Sequence, residues 1–142
     1  MADKLLTPEE KTNEQVTTHF NLKELEYYDR IPAEFLNNAR ELCRNLQKIR
    51  EAVGKPLKII SGYRSLERQM KVNPSAPKSL HLTAEAADIQ PPAGMTATEL
   101  HKLISGLIEK KSIVNGGLGL YIKDNFCHYD IRKNGPARWQ GN

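Results

Sequence analysis

Residues 116–132 read GGLGLYIKDNFCHYDIR, and this stretch decides the fold class. Two β-prone runs, Leu118 to Ile122 and Phe126 to Arg132, flank Lys123-Asp124-Asn125, whose short polar side chains suit a hairpin turn. Strand periodicity puts Phe126, His128 and Asp130 on one face and Cys127, Tyr129 and Ile131 on the other.

Upstream of the hairpin, Thr96-Ala97-Thr98-Glu99 matches a capping box ahead of Leu100, Leu103, Ile104, Leu107 and Ile108. This predicts an amphipathic helix to about Lys111, ended by Asn115-Gly116-Gly117. Ala86 to Gln90 reads as a buried strand before Pro91-Pro92, and 73–78 as a loop carrying two prolines. Leu57 to Ile60 is short and β-branched and runs into the turn Ser61-Gly62-Tyr63-Arg64-Ser65, followed by a short helix from Leu66 to Lys71. Between Pro32 and Val53, the residues Phe35, Ala39, Leu42, Leu46, Ile49 and Val53 recur every three or four positions, the apolar face of a long helix that Gly54-Lys55-Pro56 stops. Thr7-Pro8-Glu9-Glu10 opens a short helix, and His19-Phe20-Asn21-Leu22 begins a second short element. Helices first, then strands mixed with helices, read as α+β with a small antiparallel sheet flanked by helices.

At 142 residues the chain is long enough for one buried core, and no repeat or linker divides it. We expect an acidic lead over 1–17 and one domain over 18–142. Residues 1–30 carry 4 basic and 7 acidic side chains, whereas 31–142 carry 17 basic and 10 acidic. Nucleic acid, an anionic cell wall and an acidic membrane surface are all compatible with the basic body, and charge alone does not choose among them. Nucleic acid is not expected, because the interleaved aromatics and clustered basic residues of such a surface are missing. No apolar run approaches the ~18 to 20 residues a membrane span needs. Met1 to Glu10 has neither the basic nor the apolar segment of a signal peptide, so synthesis in a cytoplasm and release by another agent are expected. Cys43 and Cys127 have no CxxC partner, so reduced thiols are the default.

Four histidines exist, His19, His81, His101 and His128. His81 precedes a strand carrying Asp88, and His128 has Asp130 two residues on. Two imidazoles and one carboxylate suit a catalytic zinc, which takes three protein ligands and keeps one position open. The carboxylate ligand cancels part of the metal's charge, so a separate base should matter more.

Five segments occur together in the order of one family: Ser61-Gly62-Tyr63-Arg64-Ser65; Ser79-Leu80-His81-Leu82-Thr83-Ala84-Glu85-Ala86-Ala87-Asp88-Ile89; Gly116-Gly117-Leu118-Gly119-Leu120-Tyr121; Phe126-Cys127-His128-Tyr129-Asp130-Ile131-Arg132; and Arg138-Trp139. From about Thr18 to Trp139 the chain resembles the zinc D-alanyl-D-alanine carboxypeptidase and L-alanyl-D-glutamate peptidase family, whose fold is shared with the Hedgehog signalling domain. The resemblance implies one zinc ion on His81, Asp88 and His128 and hydrolysis of the stem peptides of bacterial peptidoglycan; a monomer is expected. The cut is that of a carboxypeptidase or an endopeptidase, in the manner of a phage lysin. It also implies that Arg64 binds a substrate carboxylate or a developing oxyanion and that Ser79 helps orient the site.

Two positions depart from the family pattern. Ala84 stands where SxHxxGxAxD asks for glycine, and would be strained by about 1 kcal/mol at positive φ. Asn125 stands where better-known members place an acid or His three residues before the last ligand. The base is then Asp130, Asp124 or another group, with Asp130 alternatively orienting a ligand. A non-catalytic zinc-binding module of the same fold is the competing reading.

Overall fold

The computed structural model describes residues 4–76 and 78–141. Met1 to Asp3 of the expected acidic lead, Pro77 of the expected loop and Asn142 lie outside the described residues. After 3-10 turns at Pro8–Glu10, Leu22–Leu25 and Ala33–Phe35, the long helix α1 spans Leu36–Val53. It ends at Gly54, whose φ of 75° is the left-handed cap that glycine adopts without strain. Strand β1 (Lys58–Ser61), helix α2 (Leu66–Val72), a 3-10 turn (Leu80–Thr83), strand β2 (Ala86–Gln90), helix α3 (Ala97–Glu109), and strands β3 (Gly117–Tyr121), β4 (Phe126–Asp130) and β5 (Ala137–Gly141) follow. The capping box expected at Thr96 is present, with Thr96 Oγ1 accepting from Glu99 N at 3.1 Å.

Among the described residues the strands form one sheet in the order β1-β2-β4-β3-β5. The α+β class with a small antiparallel sheet is present in β1, β2, β4 and β3, which pair antiparallel, and β5 extends it by adding to β3 in parallel. No parallel strand was anticipated after Arg132. The chain leaves β4, crosses through Lys133 to Pro136, and returns along the far edge of β3.

Each central strand splits its residues between two faces, because successive side chains alternate. Ala87 and Ile89, Leu118 and Leu120, and Cys127, Tyr129 and Ile131 face the core, where Leu42, Leu46 and Ile49 of α1 and Leu100 and Ile104 of α3 meet them. Tyr129 is fully buried, and its hydroxyl donates to Val114 O at 2.7 Å. The residues before α1 are tied down by Glu26, which is fully buried and accepts from Thr12 N (2.6 Å), Thr12 Oγ1 (2.7 Å) and Ile31 N (2.8 Å).

The opposite face carries a cross-strand row that spans the whole sheet. Ser61 pairs with Asp88, Asp88 with His128, His128 with Gly119, and Gly119 with Trp139. Residues from all five strands thus lie side by side in one line.

Candidate metal centre

His81 reaches the row from the 3-10 turn Leu80–Thr83. Ser79 starts that turn, its Oγ accepting from His81 N at 3.2 Å, and Ala84 ends it in the left-handed region at φ 60°. The positive φ expected at Ala84 is therefore present.

Both histidine tautomers follow from their outer partners. His81 Nδ1 lies 2.6 Å from Gly62 O, and a carbonyl only accepts, so Nδ1 carries the proton and Nε2 keeps its lone pair. His128 Nε2 lies 2.7 Å from Asp130 Oδ2, so it donates there and Nδ1 keeps its lone pair. Those two bare nitrogens converge on Asp88 Oδ1, at 3.4 Å from His81 and 3.1 Å from His128. Three acceptor atoms so close repel one another unless a cation or a proton sits among them. Ligands ~2.0 to 2.1 Å from a zinc ion at tetrahedral angles are themselves about 3.3 Å apart. The donor set and its two spacings to Asp88 therefore suit a divalent metal such as zinc, and all three side chains are buried.

The electrostatics agree. Burial alone would raise the Asp88 carboxyl, but His81 and His128 hold it well below the usual carboxylate range. Burial alone would lower His128, yet the Asp130 and Asp88 carboxylates beside it raise it. The cluster draws positive charge to itself.

A family model described as Peptidase M15 matches residues 12–130. The chain belongs to the peptidase M15 family. No curated protein matches the chain. The match agrees with the family recognised from the motifs around Arg64, His81 to Asp88 and His128, and it makes the chain a member of a metallopeptidase family with a buried group able to bind a metal.

The other anticipated residues of the M15 site take particular places. Arg64 donates through Nε to Ser61 Oγ (3.0 Å), through Nη1 to Gln69 Oε1 (2.8 Å) and through Nη2 to Asp88 Oδ2 (3.2 Å). It braces the second oxygen of Asp88 while two of its five N–H groups stay available. Burial lowers its pKa, against which Asp88 and then Tyr121 act. Asp130 is fully buried on the far side of His128, where it also accepts from Gly117 N (2.8 Å), Arg132 Nε (2.9 Å) and Arg132 Nη2 (2.8 Å). Its lone pairs are spent on fixed donors, which suits orienting His128 rather than taking a proton from water. Asn125 turns away from the site at φ 57° and accepts from Ala97 N at 3.2 Å, at the start of α3.

The centre opens into a cavity of about 810 Å³. Asp88 and Asp124 are the carboxylates that line it among the described residues, and Lys78, Arg64 and Arg132 are the cations. Asp124 has no hydrogen-bond or ion-pair partner among the described residues. Sequence reasoning assigned no role to Arg132, Gln69, Tyr121 or Trp139. The signal for Arg132 lay in the strand period, two residues beyond Asp130; Trp139 lay in the Arg138-Trp139 segment of the resemblance, but its place at the site follows only from the parallel pairing of β5.

No helix among the described residues is long and apolar enough to cross a membrane. Cys43 and Cys127 are buried free thiols, both away from the centre's donor set.

Proposed function

We propose that the chain is a zinc-dependent peptidase that hydrolyses an amide bond in the stem peptides of bacterial peptidoglycan, acting as a monomer released onto the wall in the manner of a phage lysin. The observation that carries this reading is the convergence of His81 Nε2, Asp88 Oδ1 and His128 Nδ1 at metal-ligand spacing on the floor of an open cavity of about 810 Å³. That volume lies in the range of small-molecule and peptide pockets, and its cationic lining suits a substrate bearing carboxylates.

Zinc held by these three residues supplies Lewis acidity, polarising a carbonyl and acidifying water. The protein does the rest. Gly62 O and Asp130 fix the two imidazole tautomers, and Arg132 in turn holds Asp130. Arg64 keeps Asp88 in place and offers its remaining N–H groups, with Lys78, to a substrate carboxylate. Ser79 sets the turn that aims His81. Asp124, an unpaired carboxylate on the cavity wall, receives a proton from the attacking water and returns it to the leaving amine.

The test is mass spectrometry of sacculi digested with the protein, with chelated and zinc-restored controls. Zinc-dependent new fragments are expected and name the bond; intact sacculi alongside tightly held zinc would favour the non-catalytic module. That second reading draws on Asn125, where a side chain committed to α3 replaces the acid of better-known members. Separate variants distinguish the two. Asp124→Asn should cut turnover at least tenfold with zinc affinity unchanged. Asp130→Asn should weaken zinc about 10- to 100-fold, as loss of a carboxylate behind a ligating histidine does, read by competition with a chelating dye.

A further inference from the structure

We propose that the Tyr121 hydroxyl is a catalytic hydrogen-bond donor, aimed at the carbonyl oxygen of the scissile amide where negative charge develops. The proposal rests on the peptidase reading above and deepens it.

Tyr121 ends β3 on the face that carries the metal centre, and it lines the same cavity. Its ring is fixed twice. It stacks on Phe126 at 4.4 Å with 7° between the planes, and its oxygen accepts from Trp139 Nε1 at 2.8 Å. Gly141 opposite leaves the room, since a Cβ there would overlap the Tyr121 ring. Indole nitrogen only donates, so the contact with Trp139 occupies a lone pair of the hydroxyl and leaves its proton uncommitted. No acceptor for that proton exists among the described residues. Trp139 in turn packs on His128, with ring centroids 4.9 Å apart, so the indole links the hydroxyl to a metal ligand within one cavity.

A donor held rigid, with its proton uncommitted, in the cavity that holds the centre is what stabilisation of a developing oxyanion needs. In the hydrolysis the water oxygen bonds to the acyl carbon and the C–N bond breaks. One water proton ends on the amine and the other on the new carboxyl group. Tyr121 keeps its own proton throughout.

The experiment compares Tyr121→Phe with Trp139→Phe. Tyr121→Phe keeps the stacked ring and removes the donor; Trp139→Phe keeps the donor and frees its oxygen. We expect Tyr121→Phe to lower kcat about 10²- to 10³-fold, as deletion of an oxyanion donor does, with KM within about threefold. Its affinity for a phosphinate peptide analogue should fall in parallel with kcat/KM. Its affinity for a plain stem-peptide fragment should stay put in the metal-free protein, where emission from Trp139, the single tryptophan, reports binding. Trp139→Phe should lose less turnover. Retention of kcat within threefold by Tyr121→Phe overturns the proposal. So do equal losses in the two variants with phosphinate affinity unchanged, because Tyr121 then only props Trp139. Absence of hydrolysis by the wild-type protein overturns the peptidase reading itself, and this inference with it.

Discussion

Ala84 and Asn125 are both non-glycine residues at positive φ, and they bear it differently. Asparagine tolerates the left-handed region, and Asn125 also gains a bond to the first turn of α3. Asn125→Asp should therefore not restore an acid to the cavity: its carboxylate should take over the bond to Ala97 N and favour the helix N-terminus. We expect turnover within twofold of wild type and stability raised by a few tenths of a kcal/mol in urea unfolding. Ala84 is 1% exposed, so its methyl group is buried where its backbone is strained. Glycine there relieves about 1 kcal/mol and forfeits a methyl worth about 0.8 kcal/mol, so Ala84→Gly should move stability by less than about 1 kcal/mol. Ala84→Val adds a branch at Cβ to the same φ and should cost more than about 2 kcal/mol in the same assay.

The long elements are the ones the sequence makes legible. Six apolar positions at helical spacing outline α1, and the capping box at Thr96 starts α3 within a residue of its observed end. Two shorter elements escape pattern reading for physical reasons. The turn Leu80–Thr83 has four residues, too few for a period, and is specified by the Ser79 cap and the conformation of Ala84. Strand β5 alternates half-buried and exposed residues with none fully buried, and nothing in Ala137 to Gly141 encodes a partner some twenty positions earlier. For the same reason the three ligands and Arg64 could be named from spacing and resemblance, whereas Tyr121 and Trp139 gain their place only through cross-strand register. Gly119 shows what that register demands, since a Cβ there would overlap the Trp139 indole. Gly119→Ala should push β5 outward, costing about 1 to 3 kcal/mol and shifting Trp139 emission to the red.

Across the whole molecule, buried thiols set an alkaline limit. Burial pushes both Cys43 and Cys127 from 9.0 to about 12. Above pH 9 the unfolded chain ionises these thiols while the folded chain keeps them neutral, so their contribution is intact below pH 9 and drains away as pH rises toward 12. Each thiol should remove up to about 1.4 kcal/mol of stability per pH unit in that window. Urea unfolding of the metal-free protein at pH 8, 9.5 and 11 measures the slope, and Cys43→Ala with Cys127→Ala should flatten it.

The sheet separates core from site by alternation alone. Even numbers in β2 and β4 and odd numbers in β3 and β5 face the metal centre, as Asp88, His128, Gly119 and Trp139 illustrate. The remaining positions of β2, β3 and β4 face the helices. A saturation scan scored separately for abundance and for hydrolysis should therefore print two interleaved combs along these strands, which overlap at Gly117 and Gly119, where a side chain would collide with Asp130 or Trp139. Adaptation to a new substrate then has one comb to write on, those two glycines excepted, with little disturbance to the text of the other.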